Sequence, residues 1–250
     1  MSDFQQQGKA SKYGYITLAM LAIALVVLII KISPINQDQN YHQFSDQSAF
    51  LNIPNFGNVI SNVPFIVIGI FGLTKVSKQH VSGRQYSIFF VGIALVSIGS
   101  GYYHWEPNNE TLVWDRLPMT LGFMGLFAAV IGEFINKKAG VFLLVPMVVL
   151  GLISVWIWVR TDNLGLYSLV QFYPMLAIPA ILIFFPSSTA STKGMWTMLV
   201  LYGIAKVMEL FDPQIHEFLS VLSGHTLKHL FADLGIFLFI QLHFKNGEAQ

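Results

Sequence analysis

The chain has no cysteine, which excludes disulfides, thiolate metal sites and a cysteine nucleophile. Charge is scarce as well. Of 250 residues only 11% are Asp, Glu, Lys or Arg, where a water-soluble domain carries about 25%. The net charge is +1, and no basic stripe, internal repeat or low-complexity tract appears. Nothing there offers a footprint for nucleic acid, and nothing points to a protein partner. What the sequence does contain is apolar: 54% hydrophobic residues, including 21 Phe. They fall in blocks of about 20, long enough to cross a hydrocarbon core of ~30 Å at ~1.5 Å per helical residue. Lipid is the expected solvent.

Eight spans are expected, at 14–32, 55–74, 86–105, 116–136, 140–159, 165–185, 194–211 and 222–243. They should be helices, because lipid cannot satisfy exposed backbone groups. The seventh is the least apolar, since it carries Lys206 and Glu209, three apart and able to pair. The first resembles a signal peptide in having Lys9 and Lys12 ahead of it. However, Lys31-Ile32-Ser33-Pro34 is no small-residue cleavage site, so the segment reads as a retained anchor. Residues 1–13 are then a polar tail, 14–32 an additional helix, 33–244 a membrane domain and 245–250 a second tail. With the N-terminus inside, Lys75, Lys78, Arg84, Lys137, Lys138, Lys193 and Lys245 lie on the inner side, while Asp38, Asp46, Glu106, Glu110, Asp162 and Glu217 lie outside. That asymmetry favours both termini in the cytoplasm, and the short loops suit a bacterial inner membrane.

On this topology one group of polar residues shares a depth near the outer (periplasmic) face. Ser100 and His104 are four apart at the end of the third span, and Asp115 opens the fourth. His225 and His229 are four apart in the eighth, with Asp233 continuing the same face. Four-residue spacing stacks side chains on one side of a helix. Two such imidazoles, with a third from a neighbouring helix, make the three-histidine set of a catalytic zinc ion with one position left for water. Asp115 is placed to hold or deprotonate that water, and Ser100 to stabilise an oxyanion or orient a neighbour. Structural roles compete: paired histidines also serve as bundle hydrogen-bonders or proton relays, and serine as a packing residue. His80 and His243 fall on the inner side as solvated or interfacial residues, and His42 and His216 in outer loops. Trp105, Trp114, Trp156 and Trp158, at span ends, read as interfacial belt residues.

These strings resemble a known family. Ser97-Ile98-Gly99-Ser100-Gly101-Tyr102-Tyr103-His104, then Trp114-Asp115-Arg116-Leu117-Pro118-Met119, then Gly224-His225-Thr226-Leu227-Lys228-His229 look like the three signatures of the CREST superfamily of membrane hydrolases. The run Pro54-Asn55-Phe56-Gly57-Asn58-Val59-Ile60-Ser61-Asn62 is similar to the alkaline ceramidase branch. The resemblance implies an all-α polytopic membrane protein, a seven-helix core to which 14–32 is an addition. It also implies Zn2+ on His104, His225 and His229, Asp115 on the water and Ser100 on the scissile carbonyl. The implied reaction is hydrolysis of the N-acyl bond of ceramide or a similar lipid amide drawn from the bilayer. Two departures stand out. The acidic calcium-binding segment of eukaryotic members shrinks here to Asp46 alone within 41–55, which makes a Ca2+ site doubtful. Arg116 stands where those enzymes commonly carry Glu, a change that bears on substrate choice. Esterase or lipid-remodelling chemistry at the same residues, or a non-enzymatic receptor or transporter using them with Lys206, Glu209 and Asp212, are the alternatives.

Overall fold

The computed structural model describes residues 2–79, 83–186 and 192–244; His80 and the C-terminal tail with Lys245 lie outside them. The described chain is helical, with a lone antiparallel bridge between Phe50 and Ile53 as its only extended pairing. Helix α1 (Ser2–Ile32) is followed by a loop, then by α2 (Phe56–Ile60) and α3 (Val63–Gln79). Next come α4 (Gly83–Trp105), α5 (Asn109–Val130), α6 (Lys137–Thr161) and α7 (Gly165–Phe184). The chain closes with α8 (Lys193–Leu210), α9 (Asp212–Leu219) and α10 (Gly224–His243).

Among the described residues, six stretches are long and apolar enough to cross a membrane: Ser11–Ile32, Phe56–Val76, Gly83–Trp105, Asn109–Ile135, Lys137–Thr161 and Gly165–Phe184. A seventh is reached if α8 counts together with α9, which turns from it by 80°. The protein is therefore an all-α, multi-pass membrane protein. Of the eight spans expected, α8 counts only together with α9, and α10 is not apolar enough to count, for a physical reason. Helix α8 carries Lys206 and Glu209, and α10 carries His225, Lys228, His229 and Asp233. These polar groups lower mean hydropathy, and the two helices bury them by packing antiparallel, with Gly194 against His243 and Gly224 against Met208.

The tightest helix contact joins α4 to α5 through small residues, as lipid-embedded bundles require. Gly92 meets Gly122, and Gly99 lies against the backbone of Trp114. Pro118 inside α5 explains the second approach. Lacking an N–H, it leaves the Trp114 carbonyl without its partner one turn on, and the hydrogen-faced Gly99 settles there. This contact brings Ser100 and His104 on α4 level with Asp115 on α5. Asn108 fixes where α5 begins, accepting from the backbone N–H of Glu110 and Thr111 while Thr111 Oγ1 accepts from the Asn108 N–H. Helix α1 packs on α7, where Gly14 fits under Phe184 and Phe185 and Tyr173 donates to the Leu18 carbonyl.

Two expectations about single residues are corrected. Trp158 is no belt residue: it is 3% exposed, turned inward onto a buried arginine, whereas Trp105, Trp114 and Trp156 are 48%, 57% and 59% exposed. His243 is neither solvated nor interfacial. Its side chain is 4% exposed, its Nε2 3.2 Å from Glu133 Oε1 and 3.0 Å from the Tyr86 hydroxyl.

Candidate metal centre

At the opposite end of the bundle from His243, the ends of α4 and α10 bring His104, His225 and His229 together. All three are buried, and one ring nitrogen from each lies within 4.8 Å of the others. His104 Nε2 and His225 Nε2 are 3.3 Å apart. Zinc bound tetrahedrally at 2.0–2.1 Å holds neighbouring nitrogens at about 3.3–3.4 Å, so the pair already spans one edge of such a site. Lys228 Nζ also donates to His225 Nε2, at 2.8 Å. The His225 Nε2 lone pair is thus already turned to a cation, and His104 and His225 present ring nitrogens to a shared point. The residues fit a metal ion.

Their outer partners fix the rings. Ser61 donates its hydroxyl to the Asn58 carbonyl at 3.1 Å, so its oxygen is free to accept from His229 Nδ1 at 2.8 Å. The His229 Nε2 lone pair then faces the centre, the arrangement by which an outer hydrogen bond orients a metal-binding imidazole. Asp212 accepts from the His225 backbone N–H at 2.7 Å and from the Ser45 N–H at 3.0 Å, pinning the start of α10 to the loop before α2. Asn55 donates to the His104 carbonyl at 2.9 Å. Asn58 Oδ1 accepts from Thr226 Oγ1 at 2.9 Å and Ser223 Oγ at 3.4 Å. The Asn55–Asn62 run thus works as a polar clamp between α4 and α10. Phe44 fills the remaining side, its ring centre 4.7 Å from His104 and 4.6 Å from His225. Asp46 accepts from the Ser48 N–H and hydroxyl through one oxygen, at 2.9 and 2.5 Å.

A cavity of about 380 Å³ opens beside the histidines. Its depth is apolar, walled by residues such as Phe65, Phe89, Ile93, Val96, Leu126 and Ile178. Its polar end carries His229, Ser100, Asp115, Lys228, Glu209 and Arg116. Ser100 lies close to the Asp115 carboxyl on the cavity wall. Glu209 joins Lys206 at 2.7 Å, the expected pair, and also Lys228 at 3.0 Å. Arg116 Nη2 donates to Gln37 Oε1 at 2.6 Å, and the guanidinium lies 4.2 Å from the Trp158 ring centre and 4.9 Å from that of Tyr167. The charge-assisted bond returns about 1.5–3 kcal/mol and the rings roughly 0.5–2, against several kcal/mol lost in dehydrating the ion.

All five residues singled out from the sequence stand at this end: three histidines in one cluster and the Ser100–Asp115 pair on the cavity wall. Sequence reasoning missed Lys228 and Ser61 as their partners. The H-x3-H spacing drew attention past Lys228, although it sits between the two histidines.

A bundle of apolar helices that buries three converging histidines beside a largely apolar cavity defines a multi-pass membrane protein with a candidate metal centre. The ceramidase family's sequence profile matches residues 45–211, well over half the chain, and the protein belongs to the ceramidase family. The matched range contains Ser100, His104 and Asp115 but ends before His225 and His229. A search of curated proteins finds no match. Family membership implies a membrane hydrolase acting on ceramide-type lipid amides.

Proposed function

We propose that the protein is a zinc-dependent amidohydrolase that cleaves the N-acyl bond of ceramide or a ceramide-like lipid to a fatty acid and an amine lipid. The observation that carries this reading is the convergence of His104, His225 and His229, with His229 at the polar end of a cavity that is otherwise apolar. His104, His225 and His229 would hold the ion, and zinc, when bound, supplies Lewis acidity to water and to the amide carbonyl. The cavity takes the acyl chain among its Phe, Ile and Leu walls and leaves the amide at the polar end. Asp115 accepts the proton of the attacking water as its oxygen bonds to the carbonyl carbon. It returns that proton to the nitrogen as the C–N bond breaks. While Asp115 is ionised, the Ser100 hydroxyl is engaged in orienting it. Once Asp115 carries the proton, Ser100 is free to donate to the carbonyl oxygen where charge develops.

The same reading keeps 14–32 as a helix added to a seven-helix catalytic domain. It sets the site near the outer face of a bacterial inner membrane, with both termini cytoplasmic. Two observations support that placement. The loop after α1 binds the α6–α7 corner (Ile35 N–H to Asn163 Oδ1, 3.2 Å), so these connections share one end with the histidines. The basic Lys137, Lys138 and Lys193 begin helices at the other.

The test is zinc content by elemental mass spectrometry together with turnover on matched amide and ester lipids in detergent. About one zinc per chain with amide cleavage supports the reading. Full activity in metal-free protein would sink it, and cleavage of esters alone would move the chemistry to ester hydrolysis.

A further inference from the structure

Arg116 has no part in the hydrolysis just described, yet it is placed as carefully as the residues that do. Neighbours on a helix point about 100° apart. Asp115 therefore reaches Ser100 on α4, while Arg116 turns toward Gln37, Trp158 and Tyr167. The guanidinium is always charged, is 7% exposed, and pairs with no carboxylate among the described residues. Its Nη1 is buried without any acceptor. Gln37 is itself held, donating through Nε2 to the Asp38 carbonyl at 3.0 Å, which turns Oε1 to Arg116. The two aromatic rings pack on the guanidinium and leave Nη1 without an acceptor.

The other cations of the cavity make the contrast. Lys206 and Lys228 are both bound to Glu209, and Asp115 lies toward Ser100 on α4. Three cations thus meet two carboxylates along one wall, and the surplus falls on Arg116, which lines the same space as His229 and Asp115. A planar N–H fork held by stacking is the group that recognises carboxylate, phosphate or sulfonate through paired hydrogen bonds. Fixed in advance by Gln37 and the rings, it needs little ordering on binding.

We infer that the edge of Arg116 receives an acidic group on the amine half of the substrate. The preferred substrate class is then a lipid amide with an anionic head, rather than a neutral ceramide. The inference rests on the amidase reading for the bond cleaved, but its binding component is independent of catalysis.

The experiment uses the full-length protein in detergent and displacement of a fluorescent acyl probe. Competitors of equal chain length are ceramide, ceramide phosphate and an N-acyl amino acid, with the free fatty acid and inorganic phosphate as controls. Wild-type protein is expected to bind both acidic amides roughly tenfold or more tightly than ceramide. Arg116→Gln should abolish that preference and leave ceramide binding within about threefold, and Arg116→Lys should keep part of it. If Arg116→Gln fails to fold, Gln37→Glu supplies the missing carboxylate and should weaken the acidic amides selectively. Equal binding of neutral and acidic amides, or a preference that survives Arg116→Gln and Gln37→Glu, overturns the inference. So does Arg116-dependent binding of the fatty acid with no advantage for the acidic amides, which would give the site to the released product. Inorganic phosphate competing as well as the lipids would assign it to a free anion. Turnover measured alongside separates the two readings. Acidic amides bound through Arg116 but never cleaved would remove the amidase and leave this site standing. Cleavage of every amide without preference would do the reverse.

Discussion

Both ends of the helix bundle bury histidine, and they dispose of it in opposite ways. At the His243 end, Tyr86 donates to Glu133 at 2.6 Å, and His243 Nε2 lies within reach of both, so these groups meet one another's hydrogen-bonding needs. At the His104 end three imidazoles turn nitrogens toward one another, and Lys228 donates to one of them. A polar cluster that satisfies itself holds helices together in lipid. One whose lone pairs converge has been left incomplete by the protein alone, and that incompleteness marks the end where chemistry is expected.

The sharpest way to break the comparison is to remove one histidine from each end. His229→Ala should abolish zinc retention and lower turnover by roughly a thousandfold or more, a loss of about 4 kcal/mol in the barrier. His243→Ala should leave metal content and turnover per folded molecule within about twofold. Elemental analysis and amide hydrolysis on the same preparations decide it. Equal loss at both ends would mean that the His243 cluster belongs to the reaction.

A smaller effect is expected from Ser61→Ala, which removes the oxygen facing His229 Nδ1. Outer partners of metal-bound histidines are worth about 10–100-fold in metal affinity. Competition against a chelator should show a shift of that size, with turnover recovered at saturating zinc. An unchanged affinity would return Ser61 to helix packing.

How much of this was open to sequence reasoning depends on what kind of fact each residue represents. The depth of a side chain along a helix follows from counting residues. Hence His104, Asp115, His225 and His229 were placed at one level before any contact was known. Rotation about the helix axis is harder to read, because lipid-facing and core-facing surfaces are equally apolar. Trp158, at a span end, looked like a belt residue and instead faces inward to Arg116. His243 was placed at the surface for the same reason. Partner choice is tertiary altogether: nothing around Lys228 shows that it joins Glu209, 19 residues back. The Asn55–Asn62 run was read only as a resemblance. Its physical work, clamping His104 and α10, needed the fold.

Gly99 connects depth with rotation. An added Cβ would land on the Trp114 carbonyl oxygen, and backbone cannot step aside as a side chain tip can. Gly99→Ala should push α4 from α5 beside Ser100 and Asp115, at about 1–3 kcal/mol, with a lower thermal midpoint in detergent and reduced turnover. Gly101→Ala is the control two residues away, since a Cβ there meets nothing within 4 Å. Equal effects at both positions would count against the close approach.

The smallest effect sharpens the His243 end. Tyr86→Phe keeps the ring, which packs between Phe239 and Phe244, and deletes only the hydroxyl. Glu133 and His243 still have each other, so what is lost is one charge-assisted hydrogen bond, about 1.5–3 kcal/mol at most. The thermal midpoint should fall modestly while zinc content and turnover of the folded protein stay at wild-type values. The π-turn Ile131–Ile135 holds Glu133 in this cluster, and helical irregularities of that kind often accompany function. A Tyr86→Phe protein that kept its stability but lost turnover would therefore turn the reading around: the Tyr86–Glu133–His243 triad would be a proton path, and self-satisfaction would cease to distinguish the two ends.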